Sequence, residues 1–179
     1  MFTKNYQLLR ERLFRGGTSS RELTSTGGVS CELDSSYAYF RYLDIGYYMA
    51  RIATRHETYA GSSSIIYSTG LFGVVFGSGT TKPTIDDIDL ENRITAGLSV
   101  TCGGLNLGKV ADGQYCAWAS YTVTNTSEEE ITISEIGVLT CYFNSGHYPI
   151  LMERTVLDEP ITIPAGEQKI ITYKINFYH

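Results

Sequence analysis

Histidines are the first residues to test for catalysis in this 179-residue chain, which has three: His56, His147 and His179. A histidine that activates a serine or cysteine must lie within hydrogen-bond reach of it, and α/β-hydrolases place their serine in a Gly-x-Ser-x-Gly turn. The chain has no such turn, and His147 falls in a predicted hairpin turn, where a solvated side chain is the simpler interpretation. The histidines therefore predict no catalytic site.

Paired carboxylates would allow a second chemistry, the hydrolysis of glycosidic bonds. Glu135 with Glu153, or with Asp158, would supply the acid and the base if the fold placed the two groups at the right separation. Sequence spacing leaves that separation open. The run of acidic residues from 128 to 130 is most simply a solvated turn. We predict no catalytic residue and expect that the chain is not an enzyme.

Gly77 and Gly79 followed by Lys82 invite comparison with a phosphate-binding loop. A Walker A loop needs four residues between its glycines and then a Gly-Lys-Ser/Thr sequence that opens a helix. Here Pro83 follows Lys82 directly, so the pattern does not predict a nucleotide site. The glycines are better interpreted as a strand end that turns into a tight loop.

Three closely spaced aspartates in the same stretch could offer oxygen ligands to calcium. They are Asp86, Asp87 and Asp89, and they lack the glycine and the terminal glutamate of an EF-hand loop. We therefore predict no metal and no cofactor. The aspartates are expected to cap a short helical turn together with Thr84.

Charge and composition favour protein partners. The net charge of −5 argues against a nucleic-acid partner, because phosphate binding needs clustered lysines and arginines. A solvated helix face is the simpler interpretation, and an acidic partner the alternative, for the one early basic cluster: Arg10, Arg12, Arg15 and Arg21. Tyrosine occurs 14 times, and its amphipathic ring suits sheet faces and protein interfaces.

No signal peptide or membrane span is visible in the sequence. Charged residues interrupt the first dozen positions, and no apolar run approaches the length that crosses a bilayer. We expect a protein that is made in the cytosol and has no membrane partner. The four cysteines lack the close spacing of zinc sites and are predicted to be buried free thiols: Cys31, Cys102, Cys116 and Cys141.

The elements that would position any site are clearest from Trp118 to Phe177. Residues 119–124 and 171–177 alternate apolar and polar side chains, which is the period of a half-buried strand. Residues 125–130, 144–146 and 164–167 have the composition of turns, and 158–160 are expected to end a strand. This pattern predicts an all-β fold, an antiparallel β-sandwich of jelly-roll or Ig-like type.

Upstream residues predict a short helical or extended arm. Residues 5–15 could form a helix capped by Asn5, and the Gly-, Ser- and Thr-rich segment 16–30 reads as a loop or linker. We divide the chain into an arm and linker, 1–30, and a β-sandwich domain, 31–179. Further strands are expected within 35–58, 65–76, 94–107 and 114–124, with a bulge at 102–104.

A set of short segments between residues 70 and 177 carries a family resemblance. The set comprises Phe76-Gly77-Ser78-Gly79-Thr80, Pro83-Thr84, Asp87 and Leu90, followed by 122–126, 133–137, 154–157 and 161–166. In this combination the chain resembles structural proteins of tailed bacteriophages and prophages, in which a glycine-containing loop precedes a β-rich body. Residues 1–60 take no part in the resemblance.

The resemblance implies a non-enzymatic virion protein of the tail, neck or capsid that is made in the host cytoplasm. It implies a homo-oligomer that binds its own copies and other virion proteins. Contacts are expected from the arm and from the loop at 77–89: Tyr6, Leu9, Leu13, Phe14, Gly77, Gly79, Pro83 and Asp87. Assembly of a chain that lacks residues 1–20 would test the arm.

Two other functions stay open. A carbohydrate- or receptor-binding module at a virion tip would use exposed tyrosines and the single Trp118, and burial of Trp118 would count against it. A small hydrolase on a β-fold would need His147 or a carboxylate pair to converge in a cleft.

Overall fold

The computed structural model describes residues 1–8, 21–33, 73–111, 114–143 and 147–178. Apart from one helical turn at residues 4–8, the regular structure within these ranges is β. The strands are β1 (Arg21–Thr24), β2 (Ser30–Leu33), β3 (Gly73–Gly77), β4 (Leu98–Ala111), β5 (Gln114–Asn125), β6 (Ile131–Phe143), β7 (His147–Ile163) and β8 (Gln168–Tyr178). Every pair of neighbouring strands is antiparallel, which confirms the all-β prediction.

Two three-stranded sheets, in the orders β3-β6-β7 and β4-β5-β8, supply one hydrophobic core. Ile136 and Met152 come from the first sheet, and Val123 and Ile171 from the second. The β1-β2 hairpin adds Leu23 to the same core. Core side chains shared by two sheets agree with a layered β-fold, and the jelly-roll or Ig-like topology stays a prediction.

The C-terminal strands follow the predicted period. In β8, Ile171 and Tyr173 are buried, whereas Thr172 and Lys174 are exposed. The turn before β8 closes through a hydrogen bond from Glu167 N to Pro164 O (3.1 Å), with Gly166 at a φ of 73°. The predicted bulge at 102–104 is also confirmed, because the β4–β5 register shifts between Cys102 and Leu105.

Residues 158–160 were predicted to end a strand, and this prediction is wrong. β7 continues to Ile163, but its register against β6 jumps from Glu135–Val156 to Ile133–Ile161. Ser134 alone on β6 therefore lies opposite four residues of β7, 157–160. Pro160, which cannot donate a ladder hydrogen bond, is accommodated within this wide irregularity.

The N-terminal residues pack on the body of the protein. Phe2 pairs with Glu153 of β7, and the amide of Thr3 donates to Met152 O (3.0 Å). The helical turn is capped by Thr3, whose Oγ1 accepts from Tyr6 N (3.4 Å), so the prediction of Asn5 as the cap is wrong. Asn5 instead forms two hydrogen bonds with the backbone of Thr24. Its Nδ2 donates to Thr24 O (2.8 Å), and its Oδ1 accepts from Thr24 N (2.9 Å).

The predicted linker contains a hairpin. β1 and β2 pair from Arg21 with Leu33 to Thr24 with Ser30, around a turn with Gly28 at a φ of 75°. Leu23 and Cys31 are the residues that anchor it in the core. The helix predicted beyond residue 8 and the strands predicted within 35–58 and 65–72 lie outside the described residues.

Candidate functional site: a loop held by a buried ion pair

The segment between β3 and β4 forms a closed loop at residues 78–92, which we call the clamped loop. Its neck is closed by hydrogen bonds from Ser78 N to Asn92 O (2.9 Å) and from Ile94 N to Phe76 O (2.9 Å), and by the pairing of Gly77 with Arg93. A compact loop with adjacent ends of this kind is an Ω-type loop. The strand end and tight turn predicted around Gly77 are therefore confirmed.

Glu135 of β6 holds the clamped loop from below. Its side chain is 0% exposed, and its Oε1 accepts from Gly79 N (3.0 Å) and Asn92 N (2.8 Å). Its Oε2 accepts from Glu91 N (3.2 Å). One buried carboxylate thus satisfies three loop amides that would otherwise lack an acceptor.

Arg154 of β7 neutralises this carboxylate and reaches two others. Its Nε donates to Glu135 Oε2 (2.7 Å), its Nη1 to Asp87 Oδ2 (2.8 Å), and its Nη2 lies 3.4 Å from Glu91 Oε2. Arg154 is only 3% exposed. Burial alone would lower the pKa of its guanidinium, but the hydrogen bonds to Asp87 and Glu135 outweigh it and raise that pKa.

Hydrogen bonds within the loop complete the clamp. The carboxylate of Glu91 accepts from the amides of Thr80 and Thr81 (2.8 Å each) and from Thr81 Oγ1 (2.5 Å). Asp87 accepts from Thr84 N (3.0 Å) and Thr84 Oγ1 (2.7 Å), and its own amide donates to Thr84 O (3.4 Å). The predicted turn at Thr84 is therefore present, but it is a single turn and not part of a helix. Both ends of the loop and its middle are therefore fixed.

A second small hydrophobic cluster lies beneath the clamped loop. It consists of Val75, Leu90, Leu139 and Leu151. Leu90 packs over Gly137, where an added Cβ would lie 2.8 Å from Leu90 Cδ2. Gly77 is equally constrained, since an added Cβ would lie 2.5 Å from Glu135 Oε1. The loop therefore covers this face of the β3-β6-β7 sheet closely.

The opposite side of the clamped loop faces solvent with two isoleucines. Ile85 is 46% and Ile88 is 38% exposed. Between and beside them, Lys82 and Asp86 are exposed and Pro83 is half-buried. The backbone of Ile85 is tied to the N-terminal residues by a hydrogen bond from Lys4 N (2.7 Å). Ile85 and Ile88, which we call the apolar tip, therefore lie on a loop whose backbone is fixed by hydrogen bonds.

The predicted contact residues fall in two places. Gly77, Gly79, Pro83 and Asp87 all belong to the clamped loop or its neck, whereas Tyr6 stacks on Phe2 at 4.1 Å between ring centroids and packs on the core. Leu9, Leu13 and Phe14 lie outside the described residues. Deleting residues 1–20 would remove Thr3, Asn5 and Leu8 from the folded body, so that truncation would not isolate a contact.

The described residues do not form a phosphate-binding loop or a catalytic carboxylate pair at this site. The amides of Gly79, Thr80 and Thr81, which a phosphate would need, already bind carboxylates. Glu135 and Glu153 do not converge, because Glu153 bonds Tyr173 of the core, whereas the next residue, Arg154, points to the opposite face of the sheet and bonds Glu135 under the loop. His147, which was predicted to lie in the hairpin turn, is instead the first residue of β7.

Metal and membrane sites are likewise not found within the described ranges. There, histidine, cysteine, aspartate and glutamate side chains do not form a group of three that could hold a metal ion. The helical residues described are too few to cross a membrane. Cys31 and Cys116 are buried free thiols, as predicted, whereas the side chains of Cys102 and Cys141 lie outside the description.

Sequence reasoning missed the roles of Arg154 and Glu91. Arg154 lies 63 positions from Glu91 and 67 positions from Asp87 in the sequence. No local sequence pattern predicts contacts between residues so far apart. A usable signal was the presence of charges in otherwise apolar stretches, Glu135 alone in β6 and the neighbours Glu153 and Arg154 in β7. Isolated charges in apolar strands are expected to pair when they are buried.

Two aspartates of the loop should affect acid stability in opposite directions. Burial would raise the pKa of Asp87, but hydrogen bonds from Arg154 and Thr84 outweigh it and lower that pKa, so its stabilisation is present above the unfolded-state pKa and lost as the pH falls through the folded one. Burial raises the pKa of Asp89, so its charge destabilises the fold at neutral pH and the fold gains stability as that group is protonated.

We expect Asp87→Asn to lower the free energy of unfolding at pH 7 by about 1–3 kcal/mol and to reduce its loss on acidification. Asp89→Asn should raise the free energy of unfolding by roughly 0.5 kcal/mol at pH 7. At a pH where Asp89 is protonated in both the folded and the unfolded state, the substitution should leave that free energy unchanged. Urea unfolding from pH 7 downwards measures both. Equal responses of the two variants would contradict this assignment.

Comparison of the chain with protein-family models, with curated proteins and with solved structures finds no match in any of the three.

Proposed function

We propose that this chain is a non-enzymatic structural protein of a bacteriophage virion, made in the host cytoplasm. It assembles with its own copies and with neighbouring proteins of the tail, neck or capsid. The clamped loop carries the proposal, because it is a rigid surface element that displays apolar side chains and forms part of the resemblance to phage structural proteins.

Residues that carry the resemblance meet in space, although they are far apart in the chain. Gly79 donates its amide to Glu135, and Leu90 packs against Gly137. Asp87 is joined to Glu135 through Arg154. The loop and the strand that it covers therefore form one structural unit, as a resemblance carried by both segments would require.

The energetic cost of the clamp argues for a role in binding. Placing charged groups in a protein interior carries a desolvation penalty of several kcal/mol per ion, and apolar side chains of similar volume often do as well or better. Here the buried pair fixes a loop that carries Ile85 and Ile88 towards solvent. A loop ordered before contact loses less conformational entropy on association, which favours a stable subunit interface.

The rim of the exposed apolar tip indicates the chemistry of its partner surface. Asp86 is exposed beside Ile85, and Glu91 keeps its side chain 40% exposed at the loop base. Lys82 is an exposed cation of the tip, and Lys4, whose amide donates to Ile85 O, is another beside it. The matching surface is therefore an apolar depression with groups of both charges around it.

Replacing Ile85 and Ile88 together with serine tests the proposal in the phage or prophage that encodes the chain. We expect the wild-type chain to be retained in particles purified on a density gradient, and the double variant to be lost from them by at least about tenfold, since two exposed apolar anchors contribute more than 1.4 kcal/mol. Mass spectrometry of the particles measures the content of the chain.

Ile170→Ser is the matched control, because Ile170 is 74% exposed on the other sheet. It should be incorporated as the wild type is. Absence of the wild-type chain from purified particles would contradict a virion role. Full incorporation of the Ile85→Ser/Ile88→Ser chain would contradict the loop as the contact surface.

A further inference from the structure

The outer face of the β4-β5-β8 sheet is distinct from the clamped loop. Along β5, Ala119, Tyr121 and Val123 point into the core, so Trp118, Ser120 and Thr122 lie on the opposite face. The latter three are all partly exposed. This face therefore presents the single tryptophan of the chain to solvent, in part, on a regular sheet.

A glycine on the neighbouring strand sets the position of the Trp118 ring. An added Cβ on Gly108 of β4 would lie 3.0 Å from both Cη2 and Cζ3 of Trp118. These atoms form the far edge of the indole, so the side chain is extended from β5 across to β4. Gly108 leaves room for it, and the partly exposed ring becomes an aromatic surface held against the sheet.

Hydroxyl side chains surround this aromatic surface. Ser120 and Thr172 lie opposite each other on β5 and β8, with their hydroxyl oxygens 3.1 Å apart. Thr122 is the next residue on the same face of β5, and Thr101 of β4 pairs with it and is exposed. Each hydroxyl can both donate and accept a hydrogen bond, which is the capacity that sugar hydroxyls require.

One cation lies directly beside the indole. Lys174 of β8 is the cross-strand partner of Trp118 and is exposed. The described side chains of this face include no carboxylate: Ser99, Thr101, Cys116, Trp118, Ser120, Thr122, Thr124, Gln168, Ile170, Thr172 and Lys174. In a chain with a net charge of −5, this face is locally complementary to an anion.

We propose that this face binds a sugar ring that carries a carboxylate, as part of a glycan. The C–H groups on one side of a pyranose carry partial positive charge and pack on the negative face of the indole of Trp118. The ring hydroxyls bond to Ser120 and Thr172, and the sugar carboxylate pairs with Lys174.

The single tryptophan gives a direct assay on the full chain. We expect saturable changes in indole fluorescence with at least one of three acidic probes, tetragalacturonate, sialyllactose or a hyaluronan tetrasaccharide, with a dissociation constant of about 0.1–10 mM. Cellotetraose, which is neutral, should bind at least about fivefold more weakly. Failure of all three acidic probes to bind the folded chain, or equal binding of cellotetraose, would overturn the proposal.

Lysine variants keep the reporter and locate the site. Lys174→Ala should weaken the acidic probe at least about fivefold, whereas Lys169→Ala, which removes an equal and exposed charge from the same strand, should change it less than about twofold. Trp118→Ala, followed by calorimetry, should abolish binding, and circular dichroism verifies that it folds. Equal effects of the two lysine variants would assign the signal to non-specific charge.

This inference does not depend on the proposed virion role. The sugar site lies on the β4-β5-β8 sheet, and the clamped loop covers the β3-β6-β7 sheet. Lys174→Ala is therefore expected to enter particles normally, and Ile85→Ser/Ile88→Ser to bind the acidic probe normally. Either function could fail in its own assay while the other is retained.

Discussion

Arg154→Met is expected to lower the free energy of unfolding by about 3–5 kcal/mol at neutral pH. The substitution keeps an aliphatic stem in the space of the arginine but leaves the carboxylate of Glu135 without its buried cation. Glu135 is 0% exposed, so solvent cannot replace the lost partner. Asp87 loses its hydrogen bond from the guanidinium at the same time. Urea denaturation followed by circular dichroism measures the change.

Arg154→Met should also loosen the clamped loop itself. Gly79, Glu91 and Asn92 donate their amides to Glu135, and displacement of this carboxylate would loosen all three bonds. We expect these amides to exchange hydrogen faster in Arg154→Met than the amides of β5, which lie in the other sheet. Native-state hydrogen exchange separates loosening of the loop from uniform destabilisation.

Two comparison variants define the origin of the effect. Lys174→Met removes an exposed cation from the other sheet and should stay within about 0.5 kcal/mol of the wild type. Arg154→Lys retains the charge but cannot reach three carboxylates with a planar fork, so we expect an intermediate loss. A loss of less than about 1 kcal/mol for Arg154→Met would contradict a clamp that depends on this ion pair.

The C-terminal strands could be predicted from sequence because each carries its own signal. In β8 the alternation of Ile171 and Tyr173 with Thr172 and Lys174 reports one buried and one wet face, whichever strand pairs with it. The turn at Gly166 is likewise fixed by residues within four positions. Local patterns decide local structure where one face of a strand is buried.

The clamp could not be predicted in the same way, because it depends on register. Arg154 reaches Glu135 only because it pairs with Gly137, two residues farther along β6. A wide irregularity at 157–160 follows, and it would shift every partner if it were placed elsewhere. Alternation reveals that a strand exists but does not reveal which residue of another strand lies opposite.

The β1-β2 hairpin was missed for a different reason. Its strands are four residues each, and two side chains, Leu23 and Cys31, anchor it in the core. Composition alone reads such a segment as a linker, since glycine, serine and threonine predominate around it. The long-range bonds from Asn5 to Thr24 and from Thr26 N to Pro149 O (2.8 Å) hold it in place. Tertiary contacts here override a weak local preference.

Asn125→Ala is expected to lower the free energy of unfolding by about 3 kcal/mol. Asn125 ends β5 and is 0% exposed. Its Nδ2 donates to Glu129 O (2.7 Å) and Ile163 O (2.9 Å), and its Oδ1 accepts from Ser127 N (2.9 Å). One side chain therefore joins the β5–β6 turn to the end of β7, and alanine would leave these backbone groups without partners. Thermal and urea unfolding measure the loss.

The same residue opens an Asn-Thr-Ser sequence, so burial and modification make opposite demands on it. A glycan acceptor needs an exposed amide, whereas the amide of Asn125 is fully used in hydrogen bonds to Glu129 O and Ile163 O.

Thr126→Ala, next to Asn125 and exposed, should change the free energy of unfolding by less than about 0.5 kcal/mol. Asn125→Asp keeps the acceptor for Ser127 but sets a carboxylate against two carbonyl oxygens, so at neutral pH it should destabilise the chain at least as much as alanine does. If Asn125→Asp were as stable as the wild type, the two donated bonds would contribute nothing, and the turn would be held by its backbone alone.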